Sequence, residues 1–250
     1  MKAYKTLHVQ TKDIDEVISF GELVSKEEVE KAEALRYKIY TKYNYLDTTQ
    51  YTEEKESDLY DEQEGTIYFG AMVGDRLIGF VRLIKAEHHT LPVFNNYSFE
   101  VPEELADIPK EHLCELGRLV IDKYSDTAYF PRNVVLLFMM SCLLDYAKEN
   151  GLVYSYSFIK SRLLKKLDKL NFPYTLIEDS KLLYIEDGPM APYFYNEEDP
   201  AIPAYVSITD GQKFLDKTVH GRFLFDRISD TEYKLKNNLY TNFLKAARII

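Results

Sequence analysis

The segment from Asn133 to Glu149 restricts the fold more than any other part of the sequence. Its centre is apolar on every side of a helix, and a helix of that kind is stable only when it is buried. The longest apolar stretch, Val134 to Leu144, has eleven residues, fewer than the ~20 that a bilayer-spanning helix needs. The pattern therefore predicts a helix inside the core of a globular domain, ending at Asn150-Gly151.

Length, composition and charge limit the class of protein. A chain of 250 residues with 46% hydrophobic and 29% charged residues fits one large soluble domain. The formal net charge of −10 argues against general binding to nucleic acid, whose phosphates require a basic face. The N-terminus lacks a secretory signal pattern, so we expect a cytoplasmic protein. Two cysteines without CxxC spacing indicate neither a disulfide framework nor a structural metal.

Hydrophobic periodicity, caps and turn signals predict the other elements. In chain order they are a capped helix from Ser25 to about Tyr43, a hairpin of Thr66 to Val73 and Arg76 to Ile84, strands Leu113 to Ile121 and Leu152 to Phe158, a helix Ser161 to Leu170, strands Tyr174 to Glu178, Lys181 to Ile185 and Ala204 to Ile208, and a helix from about Asp230 capped by Ser229. The polar stretch from Gln50 to Glu64 predicts a loop.

Three arginines, Arg36, Arg82 and Arg118, lie in apolar surroundings. A buried guanidinium costs several kcal/mol unless carboxylates pair with it, so each requires an acidic partner. The acids of the run ESDLYD, which are Glu56, Asp58 and Asp61, provide such partners if the loop folds over the sheet. The alternative is a solvated acidic loop and arginines that pair locally.

Glu115 and Arg118 interrupt the apolar strand from Leu113 to Ile121. An ideal strand places residues three apart on opposite faces, but a bulge at Gly117 brings both onto one face. Such a bulge frees backbone N–H groups that can stabilise an oxyanion in acyl transfer, while a carboxylate accepts a proton from an attacking amine. The alternative is an ion pair on an edge strand.

The predicted helix from Ser161 to Leu170 has a basic stripe opposite its leucines. The stripe consists of Arg162, Lys165, Lys166 and Lys169. Because the chain as a whole is acidic, the stripe favours docking of an acidic macromolecule such as acyl carrier protein, whereas the alternative is an ordinary solvated face. The sequence also leaves two roles possible for Phe138, Met139 and Met140, which are packing in the core and lining an acyl pocket.

The chain resembles the acyl-homoserine lactone (autoinducer) synthases in six motifs, ALRYKIY, ESDLYD, GDRLIGFVRLI, LPVF, ELGRLVID and SRLLKKLDKLNF. That family carries an arginine helix, an ExDxYD run, a G…RL strand and an ExxR strand in the same order. The resemblance covers residues from about 35 to 195. GPMAPYF and the strand after it resemble the acyltransferases of the PEP-CTERM/exosortase system more closely, a branch near the N-acyl amino acid synthases.

The resemblance implies the GNAT fold, an α/β domain in which helices sandwich a mixed, twisted sheet with splayed central strands. We assign residues 1–210 to this domain. Residues 211–250 lie outside the resemblance, and we expect them to form a helical extension packed on the domain that closes the acyl channel or forms a homodimer contact. The splayed strands are Leu113 to Ile121 and Leu152 to Phe158, with the acyl chain running into the core.

The resemblance also assigns roles to residues. It implies that Glu115 assists deprotonation of the amine, through water. From the residues themselves we expect backbone amides near Gly117 to hold the oxyanion, and Tyr154 or Tyr156 is a candidate to protonate the departing thiolate. The residues implied beside the amine substrate are Arg36, Glu56, Asp58, Asp61, Arg82 and Arg118, and those implied to face the carrier protein are Arg162, Lys165 and Lys166. Tyr40 shares a helix face with Arg36 and is a further candidate for binding the substrate.

The turn before the central helix bears on the acyl donor. Acetyl-CoA-dependent relatives grip the pyrophosphate with a glycine-rich turn, but the turn here, SDTAYFPRN, has no glycine. This favours a phosphopantetheine arm on a carrier protein over free CoA, with helix-terminal amides at Phe130, Arg132, Asn133 and Val134 as its binding site. No tightly bound cofactor and no metal is expected; acyl carrier protein or acyl-CoA is a co-substrate.

Two departures from the autoinducer synthases concern the amine. Those enzymes have a tryptophan after the first helix, where this chain has Tyr43, Tyr45 and Leu46, and Gly117 replaces their serine. We therefore expect fatty acyl transfer from a thioester to a small amino-acid-like amine. The alternatives are lactone synthesis from S-adenosylmethionine, transfer from acetyl-CoA, and a non-catalytic acyl- or carrier-binding module.

Overall fold

The structure is a computed structural model that describes residues 1–10, 15–122, 132–220 and 225–236. The described residues form twelve strands, which are β1 (Lys2–Gln10), β2 (Asp15–Leu23), β3 (Thr66–Val73), β4 (Arg76–Lys85), β5 (Tyr97–Ser98), β6 (Leu113–Ile121), β7 (Tyr154–Lys160), β8 (Thr175–Leu176), β9 (Lys181–Leu182), β10 (Ala201–Ser207), β11 (Phe225–Arg227) and β12 (Glu232–Leu235).

They also form seven α-helices, which are α1 (Lys26–Lys42), α2 (Pro92–Asn96), α3 (Glu103–Ala106), α4 (Arg132–Glu149), α5 (Ser161–Leu170), α6 (Ala191–Phe194) and α7 (Ile208–Leu215). Helix α1 begins at the predicted capping box, in which the Glu28 N–H donates to Ser25 Oγ and the Ser25 N–H donates to the Glu28 carboxylate.

Among the residues described, no helix combines the length and the apolar character that a bilayer crossing requires.

Ten of the strands form one mixed sheet in the order β11-β12-β1-β2-β3-β4-β6-β7-β10-β8. Neighbours run antiparallel except for two parallel pairs, β12 with β1 and β6 with β7. Strands β5 and β9 pair separately. The parallel pair β6–β7 lies inside the sheet, with β10 and β8 beyond it on one side.

The core is divided between the two faces of the sheet. On β4, Val81 and Leu83 belong to the apolar cluster that contains α4, whereas Phe80 and Ile84 belong to the cluster that contains α1. This division follows from the alternation of side chains along a strand. Phe138 of α4 is fully buried, which confirms that the apolar helix is a core element. Helices on both faces confirm the predicted α-β-α sandwich.

Three expectations about the elements differ from the structure. The helix predicted from about Asp230 is wrong for residues 232–235, because β12 pairs there with β1 and β11. The strands predicted at Tyr174 to Glu178 and Lys181 to Ile185 shrink to two residues each, and the second pairs with β5 outside the main sheet. The first 24 residues, for which no element was predicted, contain β1 and β2. The domain boundary at residue 210 stays a prediction.

Candidate active site

The central feature of the sheet is a wedge between β6 and β7. The two strands pair over three positions, from Leu113 opposite Tyr154 to Glu115 opposite Tyr156. Strand β6 continues to Ile121 and β7 to Lys160 without further pairing to each other. The strands therefore part beyond Glu115, as predicted, and the space between them is available to a ligand.

A β-bulge on β6 marks the point at which the strands part. Arg82 of β4 lies opposite Gly117, but Phe80 lies opposite Val120, so β6 has one extra residue in this interval. Arg118 takes the left-handed backbone conformation, with φ of 56°, which costs a non-glycine residue roughly 1–3 kcal/mol. The bulge predicted at Gly117 is thus present, but its left-handed residue is Arg118.

The wedge opens into a cavity of about 310 Å³. Its inner walls are apolar, with Leu119 and Ile121 from β6, Leu136 and Met140 from α4, and Leu167 from α5. Apolar walls bind a hydrocarbon chain because both surfaces leave water. Phe138 and Met139 pack in the core instead, so α4 serves both functions that the sequence left open.

A second part of the cavity wall is aromatic and cationic. Tyr40, Tyr43 and Tyr45, which follow one another around the end of α1, line it together with Tyr193 and Lys160. The rings are in mutual contact, with centroids 5.9 Å apart for Tyr40 and Tyr193 and 5.2 Å apart for Tyr45 and Tyr193. Such rings present rigid walls to a small organic substrate.

Glu115 is a buried carboxyl beside this wedge. Its side chain is 2% exposed, and Oε2 accepts a hydrogen bond of 2.6 Å from the Val93 N–H. Burial raises the pKa of Glu115 to about 8, although the Val93 N–H and the guanidinium groups of Arg82 and Arg118 act in the opposite direction. A Cβ added at Gly117 would lie 3.8 Å from Glu115 Oε1, so this oxygen lies next to the cavity-lining backbone.

The residues predicted beside the amine substrate form a buried ion-pair network. In one half, Arg36 is fully buried and pairs with Glu56 and, at 2.6 Å, with Asp61. Asp61 also accepts a hydrogen bond from the Tyr68 hydroxyl. Burial alone would raise the pKa of Asp61, but Arg36 and Arg82 hold it below its usual range.

In the other half of the network, Arg82 and Arg118 share Asp58. Arg82 Nη1 and Nη2 lie 2.7 and 2.9 Å from the two Asp58 oxygens, and Arg118 Nη2 lies 2.7 Å from Oδ2. Burial opposes ionisation of Asp58, yet the two arginines hold its pKa well below the usual range. Three cations and three anions thus balance, and of the six only Arg118 lines the cavity.

A match to a protein-family model identifies the family of this chain. Residues 31–164 match the model of the N-acyl amino acid synthase FeeM, which is more than half of the chain. The chain belongs to the FeeM family of N-acyl amino acid synthases. It is an N-acyltransferase, and its resemblance to the autoinducer and N-acyl amino acid synthases is confirmed. No protein with curated annotation matches it by sequence.

Solved structures agree with this family on the fold. The AHL synthase LasI is 16% identical with a TM-score of 0.56, covering 79% of this chain and 93% of that one. The CoA-dependent acyl-homoserine lactone synthase BjaI, with MTA, is 18% identical with a TM-score of 0.56, covering 92% and 100%. FeeM from uncultured soil microbes is 21% identical with a TM-score of 0.53, covering 78% and 93%. These likenesses establish a GNAT-like fold, and the PEP-CTERM relationship stays a prediction.

Two tyrosines predicted as acids do not line the cavity of this FeeM-family chain. Tyr156 is buried among Phe94 and Phe99, at ring distances of 5.1 and 6.3 Å, because its side chain lies in the core on the α1 side of the sheet. Tyr154 contacts Tyr205 at 6.3 Å. The described lining of the cavity includes neither, so their role in thiolate protonation stays a prediction without geometric support.

The structure describes most of the residues that were expected to bind the acyl donor. Phe130 lies outside the described residues, Arg132 and Asn133 begin α4, and Val134 is buried in the core without lining the cavity. On α5, Arg162 and Lys166 line the cavity, whereas Lys165 is exposed and does not. The basic face of α5 therefore borders one rim of the cavity.

Sequence reasoning missed two charged residues at this rim, Lys160 and Asp199. Lys160 is buried, and burial lowers its pKa to about 8. Asp199, also fully buried, accepts hydrogen bonds from the Tyr45 hydroxyl at 2.6 Å, from Ser161 Oγ at 2.9 Å and from the Arg162 N–H at 2.8 Å. The signal for Lys160 was a lysine at the end of an apolar, tyrosine-rich strand.

Proposed function

We propose that this chain transfers a fatty acyl group from an acyl thioester, preferably acyl carrier protein, to the amine of a small amino-acid-like acceptor. The observation that carries this proposal is the apolar cavity entered between β6 and β7, with a buried carboxyl and an arginine at the point of entry. A fatty chain fits the apolar walls, and the acceptor fits the aromatic and cationic walls.

The reaction begins with the amine nitrogen attacking the thioester carbonyl carbon. As the C–N bond forms, the amine proton passes to Glu115, directly or through water, once that carboxyl is ionised. Backbone N–H groups at the Gly117 bulge stabilise the oxyanion. The C–S bond then breaks, and the thiolate takes up a proton to leave as a thiol.

The ion-pair network gives this site a fixed frame. Arg36, Asp61 and Arg82 are paired with one another and buried, so they hold Asp58 and Arg118 in place. Arg118, which lines the cavity, is the member that orients the acceptor. We assign the others to positioning Arg118, because paired buried charges have little capacity left for a ligand.

The basic surface of α5 supports acyl carrier protein as the acyl donor. Arg162, whose side chain is 58% exposed, and Lys165 lie beside the rim through which a phosphopantetheine arm would enter. An acidic carrier protein complements this face. A donor bound mainly through its carrier also agrees with the absence of glycine from the sequence of residues 123–131.

The test is incubation of the purified chain with decanoyl carrier protein, a mixture of the twenty amino acids and S-adenosylmethionine, followed by mass spectrometry and thiol titration. We expect an N-decanoyl amino acid and one equivalent of free thiol. Release of methylthioadenosine with a lactone product would establish the autoinducer alternative, and binding of the donor without thiol release would establish a non-catalytic module. Decanoyl-CoA in a parallel reaction distinguishes the two donors.

A further inference from the structure

Lys160 places a buried cation in the cavity wall. It is the last residue of β7, at the open end of the wedge, and only 7% of the residue is exposed to solvent. Nζ donates a hydrogen bond of 2.5 Å to the Tyr193 carbonyl oxygen. It lies 4.4 Å from the centroid of the Tyr193 ring and 4.8 Å from that of Tyr45. Two aromatic faces thus hold the ammonium group in one position.

No carboxylate pairs with this ammonium group among the described residues. Asp199 is the acid whose charge acts on Lys160, but its oxygens are taken by Tyr45, Ser161 and the N-terminus of α5. In the ion-pair network around Asp58, by contrast, every buried arginine has a carboxylate partner. An ammonium group has three donors, and an unpaired buried charge is costly, so Lys160 is suited to an anion that enters the cavity.

The surroundings of Lys160 indicate a small anion. Tyr45 and Tyr193 cover the ammonium group, and Tyr40 and Tyr43 line the same cavity. Arg162 of α5 also lines the cavity, but its side chain is 58% exposed and suits a large acidic donor at the rim. Because Lys160 lines the cavity, a carboxylate carried by the smaller substrate can approach it from there.

We propose that Lys160, framed by Tyr45 and Tyr193, is the subsite for the carboxylate of the acceptor, so that free amino acids are acylated in preference to amines that lack a carboxylate. This inference rests on the proposed function and names the residue that recognises its acceptor. The carboxylate accepts hydrogen bonds from Nζ, while the α-amine is directed towards the bulge at Gly117. Lys160 is therefore a specificity-determining residue, and no bond to it is made or broken.

The experiment compares phenylalanine with phenethylamine as acceptors for wild-type protein and for Lys160→Met, Lys160→Arg and Lys148→Met. Lys148 is an exposed lysine at the end of α4 and supplies the matched control. Loss of a charge-assisted hydrogen bond reduces kcat/KM for phenylalanine roughly 10- to 100-fold in Lys160→Met, chiefly through KM. We expect phenethylamine kinetics to stay unchanged, Lys160→Arg to recover part of the loss, and Lys148→Met to behave as wild type.

A binding measurement separates this inference from the proposed function. By calorimetry, wild-type protein should bind N-decanoyl-phenylalanine roughly 10- to 100-fold more tightly than N-decanoyl-phenethylamine, and Lys160→Met should remove this difference. If the preference exists but no acceptor is ever acylated, the proposed function fails and the subsite stands. If binding shows no preference for the carboxylate, the subsite is overturned whether or not turnover occurs.

A further comparison tests whether Lys160 binds the phosphate of the acyl donor instead of the carboxylate of the acceptor. Decanoyl-N-acetylcysteamine has the thioester but no phosphate, so a subsite for the phosphopantetheine phosphate would make Lys160→Met harmful only with the carrier-protein donor. That result overturns the inference, as does an equal loss with phenylalanine and phenethylamine, which indicates a structural role. A loss that follows the acceptor carboxylate with both donors supports it.

Discussion

Glu115 accepts a hydrogen bond of 2.6 Å from the backbone N–H of Val93. The bond fixes the buried carboxyl against the start of α2 and leaves its other oxygen beside Gly117. Because burial raises the pKa of Glu115 to about 8, most molecules carry the neutral acid at pH 7. The same desolvation makes the ionised carboxylate a stronger base than an exposed glutamate.

The first prediction concerns the pH dependence of turnover. If Glu115 accepts the amine proton, kcat at saturating acceptor rises with pH towards an apparent pKa near 8. Glu115→Gln should lower kcat roughly 100- to 10,000-fold, the usual contribution of a positioned base, and abolish this rise. The exposed Glu111 provides a control, since Glu111→Gln should keep the wild-type profile. A Glu115→Gln enzyme with the wild-type pH profile would show that another group is the base.

The second prediction concerns stability. The pKa of Glu115 is raised in the folded state to about 8, above its value of ~4.3 in an unfolded chain. Folding therefore favours the protonated form of Glu115. The stability that this preference contributes is fully present below the pKa of the unfolded chain and is lost as the pH rises through the folded-state pKa of about 8. Between pH 5 and pH 9, the melting temperature of wild type should fall roughly 5 °C or more further than that of Glu115→Gln. Equal changes in scanning calorimetry would contradict the assigned burial.

Local patterns predicted the elements that carry the site. The capping box at Ser25 fixed the start of α1, and the Gly74-Asp75 turn fixed the hairpin of β3 and β4. Arginines within apolar strands require acidic partners, so the ion pair between Arg82 and Asp58 was predictable although 24 residues separate them. Gly117 indicated the bulge, but which residue becomes left-handed depends on the register against β4.

Contacts without a local pattern were not predictable. Lys160 and Tyr193 are 33 residues apart, and nothing in either segment indicates their contact, because their meeting depends on how α6 packs against β7. The capping signal at Ser229 failed for a related reason. Tyr233 and Leu235 alternate into the core as β12 pairs with β1, and this tertiary pairing outweighs helix propensity.

The third prediction concerns the acyl chain. Met140 lies in the cavity wall and is only partly buried, so Met140→Trp should fill part of the space for the chain. Each methylene that no longer fits loses about 0.8 kcal/mol, so exclusion of two or three reduces kcat/KM for long-chain donors roughly 15- to 60-fold. Butanoyl thioester serves as the internal control, because its rate should be unchanged. A uniform loss over all chain lengths would place the acyl chain elsewhere.

The fourth prediction concerns the carrier protein. Lys165 is exposed on α5 and does not line the cavity, so Lys165→Glu alters the docking surface without altering the site. Reversing one rim charge should raise KM for acyl carrier protein roughly 3- to 10-fold at low salt, and 0.5 M salt should remove most of the difference by screening. Decanoyl-N-acetylcysteamine, which has no carrier, should react at the wild-type rate. Lys148→Glu makes the same charge change on α4 and should leave both KM values unchanged, so an equal effect of the two variants would indicate net charge rather than docking on α5.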